Sequence, residues 1–106
     1  MRHPVEIENI GEMRRREGIE DVELGEAIDA LRAGDFVKLT FLTGLKAFAG
    51  ETLWVRITSI RGQVFRGKLA NRPAFNGLSR LRVGSAVTFT RDHIHSIVNQ
   101  PPTPRR

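Results

Sequence analysis

The chain has 106 residues, a mass of 11.9 kDa and no cysteine, and 40% of its residues are apolar. These values are typical of one globular domain that folds without disulfides, and they exclude thiol chemistry and thiolate metal sites. The longest apolar stretches are far shorter than the roughly 20 residues that span a bilayer. We therefore expect a cytoplasmic protein with no membrane partner.

Charge divides the sequence into two unlike parts. Residues 1–34 carry five cations and nine acids, whereas residues 35–106 carry twelve cations and three acids. No acid occurs between Glu51 and Asp92, a window that holds eight basic side chains. Such one-sided charge predicts a polyanionic partner, or else a basic surface that docks on the acidic part of the same chain.

The first predicted element is a helix between Pro4 and Gly18, since Pro suits a first helical turn and Gly a left-handed stop. Its apolar residues recur at three-residue spacing: Ile7, Ile10 and Met13. Gly11 costs this helix about 1 kcal/mol relative to Ala. The helix therefore depends on docking for its stability.

A second helix is predicted between Asp21, which can cap its first turn, and Gly34. Its apolar face follows helical spacing: Leu24, Ala27, Ile28 and Leu31. Two such helices are similar to a DNA-reading helix-turn-helix, but phosphates would repel Glu23, Glu26 and Asp29. We therefore expect a helical hairpin that packs on a sheet.

The basic part predicts five short strands with glycine-marked turns, at residues 35–42, 52–59, 63–70, 85–90 and 94–98. This pattern favours a small antiparallel, SH3-like barrel or a strongly bent sheet. With the helical hairpin of residues 1–34, the fold class is α+β, in a single domain over residues 1–98. Residues 99–106, rich in proline and arginine, are expected to form a flexible tail.

The hairpin between the second and third strands decides which side chains share a face, because a slip of one residue turns every side chain over. A three-residue loop, 60–62, with Gly62 left-handed gathers the apolar residues on one face. On this face Leu53 lies opposite Leu69, Val55 opposite Gly67 and Ile57 opposite Phe65. The other face then sets Trp54 opposite Lys68, Arg56 opposite Arg66 and Thr58 opposite Val64.

This second face predicts an anion site. Two opposed arginines destabilise each other unless an anion lies between them, and an indole beside cations can stack a base while the cations hold phosphates. The candidate binding residues are Trp54, Arg56, Arg66, Lys68, Arg72, Arg80, Arg82 and Arg91. Three of them, Arg72, Arg80 and Arg82, fall in a loop-rich stretch, where binding residues often concentrate.

An alternative remains open at this point. The helical hairpin must bury its apolar stripe, and Trp54 with Val64 offers it a docking place. The acids Glu23 and Glu26 would then pair with the arginines of the second face, Arg56 and Arg66.

The segment Asp92-His93-Ile94-His95 offers two imidazoles and a carboxylate, but a stable metal site needs three or four converging ligands. No nucleophile with an orienting base is indicated, and no phosphate-binding loop occurs. We therefore expect no enzyme activity, no metal and no cofactor.

A diffuse set of aromatic residues, glycines and one Asn-x-Pro extends over residues 34–98. Its members are Gly34-Asp35, Val37-Lys38, Leu53-Trp54-Val55, Ile57-Thr58, Gly62, Phe65, Gly67, Leu69, Asn71, Pro73, Leu81, Gly84, Val87, Phe89 and Ile94. This region resembles the YegJ-like uncharacterised bacterial domain family. The family pattern usually ends in an acidic residue and Trp after the position of Ile94, where this chain has His95-Ser96-Ile97. The resemblance implies a small β-rich fold and a bacterial origin, and it implies no reaction or cofactor.

The sequence thus predicts a noncatalytic module that binds a polyanion through a basic sheet face and loops, and it favours nucleic acid as that partner. The alternative function is a protein–protein interaction module, such as an adaptor, a toxin-neutralising protein or an assembly component. In that case the basic face meets an acidic protein surface.

Overall fold

A computed structural model of the chain describes residues 6–42, 50–74, 78 and 81–98. In chain order, its elements are β1 (Glu6–Ile7), α1 (Ile10–Arg16), α2 (Val22–Asp29), β2 (Phe36–Leu42), β3 (Gly50–Arg61), β4 (Val64–Leu69), β5 (Ala86–Thr90), a 3-10 helix (Arg91–His93) and β6 (Ile94–Val98). The predicted helix start at Pro4, the candidate residue Arg80 and the predicted tail at 99–106 lie outside the described residues. The two helices and the antiparallel, barrel-like sheet confirm the predicted α+β class.

The sheet is built around β2. This strand pairs with β3 on one side, and on the other side it pairs with β6 and β1, each along part of its length. The order then continues from β3 to β4 and β5, all antiparallel, so that the sheet curls into a nearly closed barrel.

The strand β1 was not expected. Ile7, predicted to be helical, instead lies opposite Phe41 in the sheet. The side chain of Asn9 accepts a hydrogen bond from the backbone N–H of Glu12, 2.9 Å away, which caps α1 and fixes its start at Ile10. The extended residues before this cap are therefore available for pairing with β2.

The barrel interior is filled by alternate residues of the strands, as their pleat requires. The buried apolar side chains of the sheet are Val37, Leu39, Phe41, Leu53, Val55, Ile57, Phe65, Leu69, Val87, Phe89 and Ile94. Phe65 and Phe89 lie directly opposite on β4 and β5, with their rings stacked at 5.3 Å between centroids. Ile28 of α2 joins this cluster, so that helix packs on the core.

The hairpin between β3 and β4 differs from the predicted register. Arg61 pairs with Val64 across a two-residue turn, Gly62 and Gln63, although Gly62 does adopt the predicted left-handed conformation with φ of 61°. The register then shifts between Ile57 and Ser59, where β3 contains one extra residue. Because of this β-bulge, the side chains of β3 face inward and outward as predicted, but they lie opposite other residues of β4 than those predicted.

The corrected pairs follow from that shift. Ile57 faces Gly67, Val55 faces Leu69 and Arg56 faces Lys68, so the predicted pairs of Arg56 with Arg66 and of Trp54 with Lys68 are wrong. Thr58 lies in the bulge and donates a hydrogen bond from its hydroxyl to the carbonyl oxygen of Arg66 at 3.1 Å.

Helix α1 docks on the 3-10 helix and β6. The guanidinium of Arg15 donates to both carboxylate oxygens of Asp92 at 3.2 Å, and Arg14 donates to the carbonyl oxygen of His95. A Cβ on Gly11 would lie only 2.6 Å from Oδ1 of Asp92. Gly11 weakens α1, but its lack of a side chain allows the helix to approach Asp92 closely.

Helix α2 begins where the sequence predicts, because Oδ1 of Asp21 accepts a hydrogen bond from the N–H of Leu24 at 2.9 Å. At its other end, Asp29 forms an ion pair with Arg91 at 2.8 Å. No described helix combines the length and the apolar character that a transmembrane span requires.

The helical hairpin therefore does not cover the outer face of β3 and β4. Val64 is exposed, and among the described residues the ion pairs are those of Arg15 with Asp92 and of Arg91 with Asp29. The predicted alternative, in which Glu23 and Glu26 pair with the sheet arginines over Trp54, is wrong. The two helices instead dock on the 3-10 helix and β6.

We predict that Gly67→Ala destabilises the fold by about 1–3 kcal/mol through overpacking. A Cβ at this position would lie 2.6 Å from both the carbonyl oxygen of Arg56 and Cγ1 of Val55. Urea unfolding measures the change. The control, Gly25→Ala in α2, places its Cβ no closer than 3.7 Å to Arg91, and it should raise stability by up to about 1 kcal/mol. Equal stability of the two variants would contradict the close approach of β3 and β4.

Candidate functional site

The outward positions of β2, β3 and β4 form a basic surface. Strand pleating places Lys38, Arg56, Arg66 and Lys68 outward, between the buried residues of the same strands. We call these four cations, together with Trp54, the outer basic face. The outward positions of the described strands β2 to β5 include no Asp or Glu.

Arg56 and Lys68 lie directly opposite each other on β3 and β4. Both side chains are exposed, and neither they nor Arg66 form an ion pair with a described residue. Like charges in directly opposed positions are unfavourable in an antiparallel sheet. The predicted pair of Arg56 with Arg66 is not formed, and the like-charge pair that the structure contains is that of Arg56 with Lys68.

Trp54 lies opposite Lys38 of β2, and the Nζ atom of Lys38 is 5.9 Å from the centroid of the indole ring. This distance is within the range of a cation–π contact. The indole is partly buried. Lys38 was missed from the sequence because the register between β2 and β3 was not predicted, although the alternation of residues 36–42 already placed its side chain outward.

The backbone of Trp54 is held by the chain that follows β4. Its N–H donates to Oδ1 of Asn71 and its carbonyl oxygen accepts from the N–H of Ala70, both at 2.8 Å. Asn71 thus continues the pairing of β3 after β4 ends at Leu69. The exposed Arg72 follows Asn71, three residues after the end of the strand that supplies Lys68.

The remaining candidate residues are dispersed. Arg82 is exposed in a turn closed by a hydrogen bond from its N–H to Oγ of Ser85. Arg91 is used within the molecule, since it pairs with Asp29 and donates to the carbonyl oxygen of Gly25. The structure therefore brings together Trp54, Arg56, Arg66 and Lys68, and it places Arg91 against helix α2.

The two histidines near Asp92 have separate local partners. Nδ1 of His93 accepts a hydrogen bond from the N–H of Thr90 at 3.0 Å, and Nδ1 of His95 lies 3.1 Å from Oγ of Ser96. In the part of the chain that the structure describes, no three His, Cys, Asp or Glu side chains converge on one point. Burial lowers the pKa of His93 from its ordinary 6.5, against a smaller opposing effect of Asp92.

No family model, no curated protein and no solved structure matches the chain. The resemblance to the YegJ-like family stays a prediction.

We predict that the free energy of unfolding falls as the pH drops below about 6.5. Nδ1 of His93 must be unprotonated to accept the Thr90 N–H, and the pKa of His93 is lower in the folded than in the unfolded chain. Protons therefore bind the unfolded chain more strongly. The contribution of His93 is fully present above this pH and is lost as the pH falls toward the folded pKa.

Chemical denaturation across this pH range tests the prediction. His93→Asn is the informative variant, because its side-chain oxygen can accept the same N–H but does not titrate. It should show a weaker pH dependence than the wild type. An identical pH dependence in both proteins would exclude His93 as the cause.

Proposed function

We propose that the protein is a noncatalytic module that binds single-stranded nucleic acid along the outer basic face. The proposal is supported by four cations on three adjacent strands, with no acid at the outward positions of the described strands β2 to β5. Phosphate contacts supply most of the affinity of such proteins. The proposal includes a cytoplasmic location.

The opposed pair of Arg56 and Lys68 is the observation that carries the proposal. A like-charge pair of this kind is destabilising by roughly 0.2–1 kcal/mol, and no described acid compensates it. A phosphate group between the two side chains would turn this repulsion into two favourable contacts.

The spread of the cations favours a polymer over a single small anion. Lys38, Arg56 and Lys68 lie on three successive strands, and adjacent strands are about 4.8 Å apart. The cations thus extend over about 10 Å across the sheet. One small anion would engage one pair, whereas a phosphate backbone can engage the whole row.

Trp54 supplies an apolar surface beside these cations. Nζ of Lys38 lies over the indole ring in the free protein. We expect this amine to move to a phosphate on binding, so that a base can stack on the ring. Stacking of this kind tolerates any base, so the proposal implies little sequence preference.

The salt dependence of binding to a random single-stranded oligonucleotide tests the proposal. With four phosphate contacts, the logarithm of the affinity should fall by about 3 per tenfold rise in salt. The double variant Arg56→Gln/Lys68→Gln removes two contacts and should reduce this slope to about half. Fluorescence anisotropy of a labelled oligonucleotide measures both quantities.

The matched control is Arg16→Gln/Arg32→Gln, which removes the same net charge at exposed positions outside the outer basic face. It should keep the wild-type slope. Equal losses in the two double variants would mean that binding follows net charge alone. Absence of binding at low salt would overturn the proposal. It would favour the alternative, in which the basic face binds an acidic protein.

A further inference from the structure

The exposed apolar side chains of the described residues include two close pairs. The large exposed hydrophobic residues are Ile19 (51% exposed), Val22 (58%), Ile60 (38%), Val64 (41%) and Val83 (62%). Ile19 and Val22 lie three residues apart where the chain turns from α1 into α2. Ile60 and Val64 lie on the tip of the hairpin between β3 and β4 and line one groove.

The two pairs stand among charges of opposite sign. Ile19 and Val22 are surrounded in the chain by exposed acids, namely Glu17, Glu20, Asp21 and Glu23. We call residues 17–23 the acidic turn. The groove of Ile60 and Val64 has a volume of about 280 Å³ and is also lined by Ser59, Arg61 and Arg66. We call these five residues the hairpin groove.

We propose that the acidic turn of one copy docks in the hairpin groove of a second copy. The two surfaces fit in chemistry, since each offers two aliphatic side chains of similar size and the surrounding charges are opposite. Within one chain both pairs remain exposed, so the contact has to be made between molecules.

The energy of this contact comes mainly from the aliphatic side chains. Ile19 and Val22 are 51% and 58% exposed before docking, so burying the exposed part of either side chain is worth about three- to tenfold in affinity at each contact. The charges add orientation and long-range attraction. In a two-fold dimer each copy supplies one turn and one groove, so every contact forms twice.

This inference goes beyond the proposed function. The groove depends on Arg61, which is outside the outer basic face, and it shares only Arg66 with that face. Self-association is measured without nucleic acid, so that a failure of either proposal leaves the other intact.

Sedimentation equilibrium over a wide range of protein concentration tests the inference. We expect reversible association at low salt that weakens as salt is added. Ile19→Ser and Val22→Ser should each weaken it by about tenfold or more. The control Val83→Ser removes a side chain that is similarly exposed but belongs to neither surface. It should leave the association constant unchanged.

A charge exchange gives the sharpest test. The turn variant Glu20→Lys/Glu23→Lys and the groove variant Arg61→Glu/Arg66→Glu should each fail to self-associate, and an equimolar mixture should associate again. Retained melting temperatures establish that each variant is folded. A wild-type protein that stays monomeric throughout, or turn variants no weaker than Val83→Ser, would overturn the inference.

Discussion

The extra residue of β3 at the bulge between Ile57 and Ser59 determines which surface each side chain of the hairpin faces. A two-residue turn at Gly62 and Gln63 would, in a regular ladder, place the cations of β3 on the same side as the apolar residues of β4. The bulge corrects this mismatch, and it also increases the local twist that a nearly closed barrel needs. Gly67 makes the correction possible, because a larger residue would collide with the backbone of Arg56.

The helices are placed so that this outer surface stays uncovered. Their two ion pairs, Arg15 with Asp92 and Arg91 with Asp29, lie at the junction of β5 and β6. Only the pair of Arg91 with Asp29 joins a cation of the basic part to an acid of the acidic part, whereas the pair of Arg15 with Asp92 has the opposite arrangement. The cations of β2 to β4 are left without such partners among the described residues, which is the physical basis for assigning them an external anion.

Local rules predicted much of the fold. Asp21 caps α2, Gly62 is left-handed, and the inner residues of β3 and β4 follow from alternation alone. The register of the hairpin was not predictable in the same way. Thr58 and Ser59 are both small and polar, so no side chain in the sequence marks where the extra residue lies.

Contacts between residues far apart in the chain were the second feature that the sequence did not predict. Lys38 joins the site only through the pairing of β2 with β3, and residues 38 and 54 are connected by a long intervening segment. Gly11 looks like a weakness of α1 in the sequence, yet its lack of a side chain admits Asp92 from the far end of the chain. Neither role can be derived from neighbouring residues, because each depends on a partner that only the folded barrel brings close.

The central claim is that the sheet retains an uncompensated pair of cations for a polyanion, at a cost to its own stability. Thermal melting of wild type and Lys68→Gln at low salt, with and without a single-stranded oligonucleotide, tests this most directly. We predict that the free variant melts a few degrees above the free wild type because a repulsion is removed. The oligonucleotide should then raise the melting temperature of the wild type far more than that of the variant. A free variant that melts below the wild type, or an equal gain from the oligonucleotide in both proteins, would contradict the claim.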